Sequence, residues 1–542
     1  MSYNSYRLGG MRFRAGFSLT QRSVICGWEW VMSVDVEKGG SGTPSRTTPC
    51  CLPLLGLLAI AAGCSSPELG GGLKWRCEDS SDCGSGYLCD STAGHCVRAL
   101  VNRDGVFDDR ILFGLSASLS QGSPLADLGN SISAGIEACF AHFNSLGGIH
   151  GRKLELVTKD DAYNPVITRE NVNEFLGGDN RQVFALIGVM GTAPALEALK
   201  IVNKKKILFF TPASGFDAFE PDPPHRYVFN VRPRYSQEAA QLTEYMLKTA
   251  GVPNKNIAVF GQGKDDQGQL DPFGASGLAG VAGVLKDVGI KEQKIAVTSY
   301  SVTQSANVKN AVASLLRWAA SSDRHKGDGD RIRVGVVSVA IAEAAVPFIH
   351  ELEDQLAAVR RGSSPASKYG TFSDNELDTL AKVDLQLTSL STLDARVSSA
   401  LKSLGTYKTK DELGKEVSRG YGRGLIIAIP VPHFDSNATG VIQYRQHMQD
   451  HKPNATLGFI SLEAYIYTRI LVEGLRQAGP DLTTEALIDT FENGKDGSGF
   501  QVDFGIGTVF RFDKNNHQAS QKLWGMQLSD AIAFESIGVL VE

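Results

Sequence analysis

FGLSASLSQGSPLADLGNSISAGIEACFAHFNSLGGIHGRKLELVTKDDAYNP, residues 113–165, reads as one strand–helix–strand unit. The apolar run ILFGLS, starting at Ile111, precedes SISAGIEACFAHFNSL, which is amphipathic at helical spacing, and KLELVTKD follows as a second run. The alternation continues outward. The runs VFALIGV, ILFFTPA, NIAVFGQ, RVGVVSVA and GLIIAIPVP interleave with the amphipathic segments PALEALKIVNKK and SLEAYIYTRILVEGLRQAG. Such alternation predicts an α/β protein with mostly parallel sheets covered on both faces by helices. A chain of 542 residues, 42% hydrophobic and 21% charged, can bury more than one core, and two such sheets account for its length. No fixed-period repeat is visible, which disfavours solenoids and propellers.

The charge balance excludes one class of partner. Lys+Arg number 54 against 59 Asp+Glu, a net charge of -5, so no basic field is available to hold a phosphate backbone, and nucleic acid is not expected.

Upstream of this domain lies PCCLPLLGLLAIAAGCSS, Pro49 to Ser66. Its apolar run, Leu52 to Ala62, is too short to span a bilayer but has the length of a signal-peptide core, with Arg46 before it. The ending Ala61-Ala62-Gly63-Cys64 resembles the bacterial lipobox, which implies Cys64 as a lipidated first residue of the mature chain. Residues 1–63 therefore read as a signal peptide behind a long extension, with Met32 a candidate start, and are left out of the fold. A tether of small residues, 64–76, and a Cys-rich segment, 77–100, follow. Cys77, Cys83, Cys89 and Cys96 in so short an exported stretch predict two disulfides, because the segment cannot bury a core without staples; three pairings are open. Their spacing lacks the close pairs of zinc folds, so no metal is expected. Cys139, inside the helical pattern IEACFAHF, reads as a buried free thiol.

From residue 111 to 530 the order of motifs resembles the branched-chain amino-acid type of periplasmic binding protein, the type I solute-binding proteins of ABC importers. Residues 113–165 match its opening strand, ligand loop, first helix, N-x-x-GG-x-x-GR turn and second strand. ALIGVMGTAPALEALKIVNKKKILFFTPASG (185–215), VFNVRPRYSQEAA, FGASGLAGVAGVL (273–285) and SLEAYIYTRILVEGLRQAGPDLTTEALIDTFE with NNHQAS behind it follow in register. The resemblance implies a two-lobed fold over 108–542: lobe 1 at about 108–232 plus a return segment, lobe 2 at about 233–430, then C-terminal helices and a hairpin that includes His517. The stretches 352–383 and 406–422, polar and without continuous apolar runs, read as surface insertions.

In an open α/β sheet ligands sit beyond the carboxyl ends of the strands, beside helix N-termini. Thr192, in Gly191-Thr192-Ala193-Pro194, reads as an N-cap whose hydroxyl and neighbouring N–H groups face a ligand carboxylate. The resemblance implies the family's binding serine at Thr192, main-chain contacts at Ala213 and Gly215, and a first ligand loop at Ser118 and Ser120, with Leu128 where an aromatic is frequent. It also implies a clamping aromatic at Phe273 and an acid for the ligand's ammonium at Asp394. Asp160 and Asp161 read as scaffold. The chain carries no G-x-S-x-G elbow, phosphate loop or H-E-x-x-H helix, so neither an enzyme nor a cofactor is expected. The reading is a lipid-anchored exported protein, facing periplasm or cell exterior, that passes a small polar solute to an ABC permease; a ligand sensor signalling to a partner is the alternative, supported by the Cys-rich segment.

Overall fold

The structure is a computed structural model. It describes residues 76–540 apart from 79, 84–86, 91–93, 99–103, 122, 124, 178–181, 265–268, 323–324, 326, 394, 412 and 495–496. Of the first 75 residues it describes only Ser5–Leu8 paired with Met11–Arg14 and Phe17–Ser23 paired with Trp28–Val34, antiparallel ladders in a stretch whose sequence has no sustained periodicity. The apolar run 52–62, Cys64 and Asp394 lie outside the described residues. Met1–Lys74 and Trp75–Glu542 are separate compact units.

In the Cys-rich segment, Cys77 pairs with Cys89 and Cys83 with Cys96, on and beside an antiparallel pair of strands, Tyr87–Asp90 and His95–Arg98. The bridges hold a piece with almost no core: of its four cysteines only Cys77 is buried.

The first lobe is built on β1 (Arg110–Ala117), β2 (Lys153–Asp160), β3 (Ala185–Ile187), β4 (Phe209–Phe210) and β5 (Val228–Phe229). They form one parallel sheet in the order β5-β4-β3-β1-β2. Between them run α1 (Ala126–Ser145), α2 (Pro165–Phe175) and α3 (Thr192–Lys205). The start of α2 is specified locally: the Asn164 side chain accepts the Val166 N–H at 2.9 Å and Pro165 takes the first helical position, where no N–H is needed.

The second lobe contains α4 (Tyr235–Lys248), β6 (Ile257–Gly263), α5 (Pro272–Asp287), β7 (Ala296–Ser301), α6 (Lys309–Ala319), β8 (Ile332–Val339), α7 (Ala342–Arg360), α8 (Asp374–Ala381), β9 (Val383–Ser389), α9 (Ala395–Ser403), a hairpin of β10 (Thr406–Lys410) and β11 (Glu416–Gly420), and β12 (Ile426–Ile429). The chain then returns to lobe 1 as α10 (Thr439–His451), α11 (Phe459–Ala478), α12 (Thr484–Asn493) and a hairpin of β13 (Phe500–Asp503) with β14 (Val509–Phe512). It crosses back once more, and β15 (Trp524–Leu528) and β16 (Phe534–Val539) complete a seven-stranded sheet, β7-β6-β8-β9-β12-β15-β16, antiparallel only at its last two strands. The central strand β8 is buried on both faces, with Val334, Val336, Val337 and Val339 each 1% exposed or less, as a parallel strand between helix layers requires.

Three expectations change. The stretch from 352 is not a surface insertion at its start: α7 is the crossover helix between β8 and β9, and Leu352, Leu356 and Val359 are buried at helical rather than continuous spacing. The 406–422 segment is the β10–β11 hairpin, with Thr409 buried and Tyr407 packed 4.9 Å from the Tyr421 ring. His517 is not in the final hairpin. It stitches the third crossing to lobe 1, stacking 3.9 Å from the Phe229 ring, while its carbonyl accepts the Asn230 N–H at 2.8 Å.

Candidate functional site

In both sheets the neighbouring connections diverge at one point, β1/β3 in lobe 1 and β6/β8 in lobe 2, and the loops beyond those strand ends face a common cavity. About 80 Å³ of it is open to the centre of a water molecule, room for several water-sized groups and so for a small solute. Lobe 1 supplies Leu125 and Leu128 after β1, Tyr163 after β2, and Met190, Gly191 and Thr192 after β3. Lobe 2 supplies Phe273 from the first turn of α5, Ile341 after β8, and Ser391 and Thr392 after β9. Arg232 and Tyr235 come from the first crossing, and Ile460, Glu463 and Tyr467 from α11, spaced three and four residues apart on one face.

The start of α3 is shaped by one glycine. Gly191, not Thr192, is the N-cap, at φ 91°, and a Cβ there would sit 2.2 Å from the Tyr163 ring. Thr192 is therefore the first helical residue, one position later than expected. Its hydroxyl is 2.9 Å from the Ser214 hydroxyl, and the Thr192 and Ala193 N–H groups have no partner within the helix. Phe273 is positioned by Asp271, which caps α5 by accepting the Gly274 N–H at 2.9 Å; the ring packs edge-on against Tyr235 at 4.7 Å.

Thr192, Ala213, Phe273 and Leu128 thus line the cavity together, whereas Ser118, Ser120 and Gly215 do not. Ser118 is fully buried and shares a 2.5 Å hydrogen bond with Ser123. Ser120 is exposed and donates to Asp160, which also accepts the Leu119 N–H at 2.9 Å, so Asp160 anchors the loop as scaffold. Asp161 accepts the Ser116 and Thr168 hydroxyls at 2.8 and 3.0 Å. Ala213 presents its side of the turn, but its N–H already donates to the Val189 carbonyl at 2.9 Å and is not free for a ligand. Gly215 sits beneath the first crossing, its carbonyl accepting the Tyr235 N–H at 2.6 Å; a Cβ would lie 2.8 Å from the Pro233 carbonyl.

Sequence reasoning missed the charged part of the cavity. Arg232, 6% exposed, donates through Nη2 to Glu238 Oε1 at 3.0 Å and to the Ser391 hydroxyl, and its Nε lies 3.6 Å from Glu463 Oε1. Burial opposes the guanidinium charge, but Glu463, Tyr235 and Glu238 outweigh it and hold Arg232 above its ordinary value. Burial raises both carboxyls, Glu463 and Glu238, against the pull of Arg232. The available signal was a lone acid, Glu463, on the apolar face of FISLEAYIYTRILVEGL, where Phe459, Leu462, Ile466 and Ile470 are all buried.

The lobes also touch each other directly. Asp217 of lobe 1 accepts the hydroxyls of Ser236 on α4 and Ser276 on α5, and Arg396 of α9 lies 3.7 Å from Asp127 of α1. Two sheet-and-helix lobes joined by three crossings, in contact around a small cavity, form a two-lobed clamp.

Comparison with known proteins agrees. The family described as periplasmic binding protein matches residues 111–354. The Leu/Ile/Val-binding protein homolog 3 of Brucella melitensis is 29% identical over 170 residues, 31% of this chain and 43% of the relative. Homolog 2 of Brucella abortus is 31% identical over 126 residues, 23% of this chain and 33% of the relative. The chain thus spans less than half the length of these curated relatives. Among solved structures, a possible leucine/isoleucine/valine-binding protein from Rhodopirellula baltica superposes with a TM-score of 0.60 at 25% identity, covering 80% of this chain and 97% of the other. A branched-chain amino acid ABC transporter structure from Thermus thermophilus, with bound valine, gives 0.56 at 15%, covering 80% and 97%. An R. palustris solute-binding protein in complex with benzoate gives 0.56 at 16%, covering 80% and 96%. Residues 111–354 thus match the periplasmic binding protein family, and the two lobes share the fold of the type I solute-binding proteins of the branched-chain amino-acid type to which the chain is similar.

Proposed function

We propose that this protein captures an amino acid or a related small carboxylate in the interlobe cavity and delivers it to an ABC permease, from an exported position anchored by a lipid on Cys64. The observation that carries the reading is the pairing of Thr192, at the N-terminus of α3, with Phe273 from the opposite lobe across one small cavity. A helix N-terminus favours a ligand carboxylate, and the apolar lining suits an aliphatic or aromatic body. The bound valine and bound benzoate of the two solved relatives are ligands of this kind. Among the described residues no helix is long and apolar enough to cross a membrane.

Thermal melting of the solute-stripped protein against amino acids, amides and aromatic and aliphatic acids tests the reading, since a ligand of the folded state raises the melting temperature. A rise with one class of small carboxylate, lost in Thr192→Ala, is expected; a flat screen would refute it. The sensor reading is favoured by one observation, the disulfide-held 77–98 segment that precedes the clamp in the chain. Deleting that segment should leave uptake intact if it serves signalling and abolish uptake if it serves delivery.

A further inference from the structure

We propose that His142, His447 and His451, on the flank of lobe 1 formed by α1 and α10, bind one divalent transition-metal ion of the zinc type and so clasp the two helices together. The chain scatters these residues, and the fold gathers them. His447 and His451 stand four residues apart on α10, which places them one turn apart on one face. α1 packs alongside, and His142, in its last turn, lays its ring on that of His447 at 3.5 Å with the planes 16° apart. The His451 ring stands 6.5 Å from the His142 ring. All three side chains are half-buried, so an ion reaches them from solvent, and none of them lines the interlobe cavity.

Two imidazoles pressed face to face resist protonation together, because adjacent positive rings repel, so near neutral pH they stand as bases whose ring nitrogens are ligands. One ring already has the partner such a ligand needs. Nδ1 of His447 lies 2.8 Å from the hydroxyl of Tyr465 on α11. With the proton on Nδ1 and the hydroxyl accepting it, Nε2 carries the lone pair, and an outer partner of this kind fixes the tautomer of metal-bound histidines. The surrounding charges oppose one another. Arg469 of α11 acts against a cation here, but it donates to the Gln443 side chain and lies over the Phe504 ring at 4.4 Å, while the exposed carboxylate of Asp450 acts in the opposite sense. Beside the cluster, Glu137 of α1 and Lys452 already bridge the two segments at 2.5 Å. Closing the site therefore takes rotation of the His142 and His451 side chains rather than movement of helices. Three imidazoles with a water in the fourth position suit zinc, and nickel or copper as well, whereas calcium and magnesium require oxygen ligands.

The test is calorimetry with Zn²⁺ on the full chain, without an affinity tag, dialysed against chelator and kept in reductant-free buffer so that the disulfides stay closed. Zn²⁺ should bind one to one with a Kd of about 10 µM or tighter. At a hundredfold excess over Kd it should raise the melting temperature by at least about 3 °C, and Ca²⁺ should not. His447→Gln and His451→Gln should each weaken Zn²⁺ at least about tenfold, and Tyr465→Phe, which keeps all three ligands, by about tenfold. If His447→Gln fails to fold, His142→Gln and His451→Gln, at half-buried positions in the last turns of their helices, decide in its place. A Kd weaker than about 10 µM in the wild type, or one unchanged in His451→Gln, would overturn the inference. Equal stabilisation by Ca²⁺ would overturn it too, by marking the effect as one of surface charge.

Discussion

Replacing Arg232 by Met removes the charge from the buried trio while keeping much of the volume, and the cost can be worked from the geometry. At the effective dielectric that reproduces protein ion pairs, a unit charge about 4 Å from another contributes about 4 kcal/mol, and Arg232 faces Glu238 at 3.0 Å and Glu463 at 3.6 Å. Protonation sets a ceiling on the loss. An acid left alone can take up a proton instead of staying charged, which at pH 7, from an unperturbed value near 4.3, costs about 3.7 kcal/mol. A loss of about 3–5 kcal/mol at pH 7 is therefore expected, the range found when a buried pair is broken. At pH 5 the ceiling falls to about 1 kcal/mol per acid, or roughly 2 for both.

The sign follows from the carboxyls. Burial raises them in the folded state, and more so without Arg232, so the folded variant binds more protons than the unfolded chain and its stability falls as pH rises above the unfolded value. The assay is thermal melting by circular dichroism on solute-free protein, because bound solute would mask the change. At about 2–4 °C per kcal/mol for a unit of lobe size, the variant should melt at least about 6 °C lower than wild type at pH 7 and recover much of the difference at pH 5. A drop under about 2 °C at pH 7, or an equal drop at both pH values, would refute the buried trio.

Other consequences follow from the same structure. Asp217→Ala removes the acceptor that joins lobe 1 to Ser236 and Ser276 of lobe 2, and should weaken solute binding about tenfold, the worth of one charge-assisted hydrogen bond, with little change in the solute-free melting temperature; unchanged affinity would mean the latch does not hold the closed clamp. His447 stacks on His142 at 3.5 Å, and burial, His142, Arg469 and His451 lower it to about 4, with Asp450 opposing. The folded state thus resists its protonation, stability should decline as pH falls from about 6.5 towards 4, and His447→Gln should make melting less acid-sensitive; an unchanged pH profile would exclude this cause. Cys139 is fully buried and its thiol is pushed far up by burial, so peptide mapping after iodoacetamide should find it unmodified in the native protein and modified in urea.

Much of the fold was legible because a parallel strand buried on both faces is written as an uninterrupted apolar run. NIAVFGQ and RVGVVSVA fall on β6 and β8 almost residue for residue. What escaped were strands without such a run. Ala296–Ser301 and Val383–Ser389 carry Thr, Ser, Asp and Gln among their apolar residues, several of them buried. Likewise α7 hides its core contacts among charges, because helical spacing scatters Leu352, Leu356 and Val359 through polar sequence.

Of the site, the residues that local sequence positions were readable: Thr192 follows a glycine at a strand end, and Phe273 follows an Asp-Pro helix start. The ion cluster was not. Arg232, Glu238 and Glu463 lie up to 231 positions apart and meet only because α11 returns to lobe 1 beside the first crossing. Ser118 and Ser120 were drawn away by partners that only the folded loop supplies, Ser123 and Asp160.

The account rests on a small carboxylate being held between the lobes, and a crystal structure of the chain grown with the solute that most raises its melting temperature tests that most directly. It should contain density for one solute in the cavity, its carboxylate at Thr192 and the start of α3. Density for that solute at any other place on the molecule, with this cavity empty, would contradict the account.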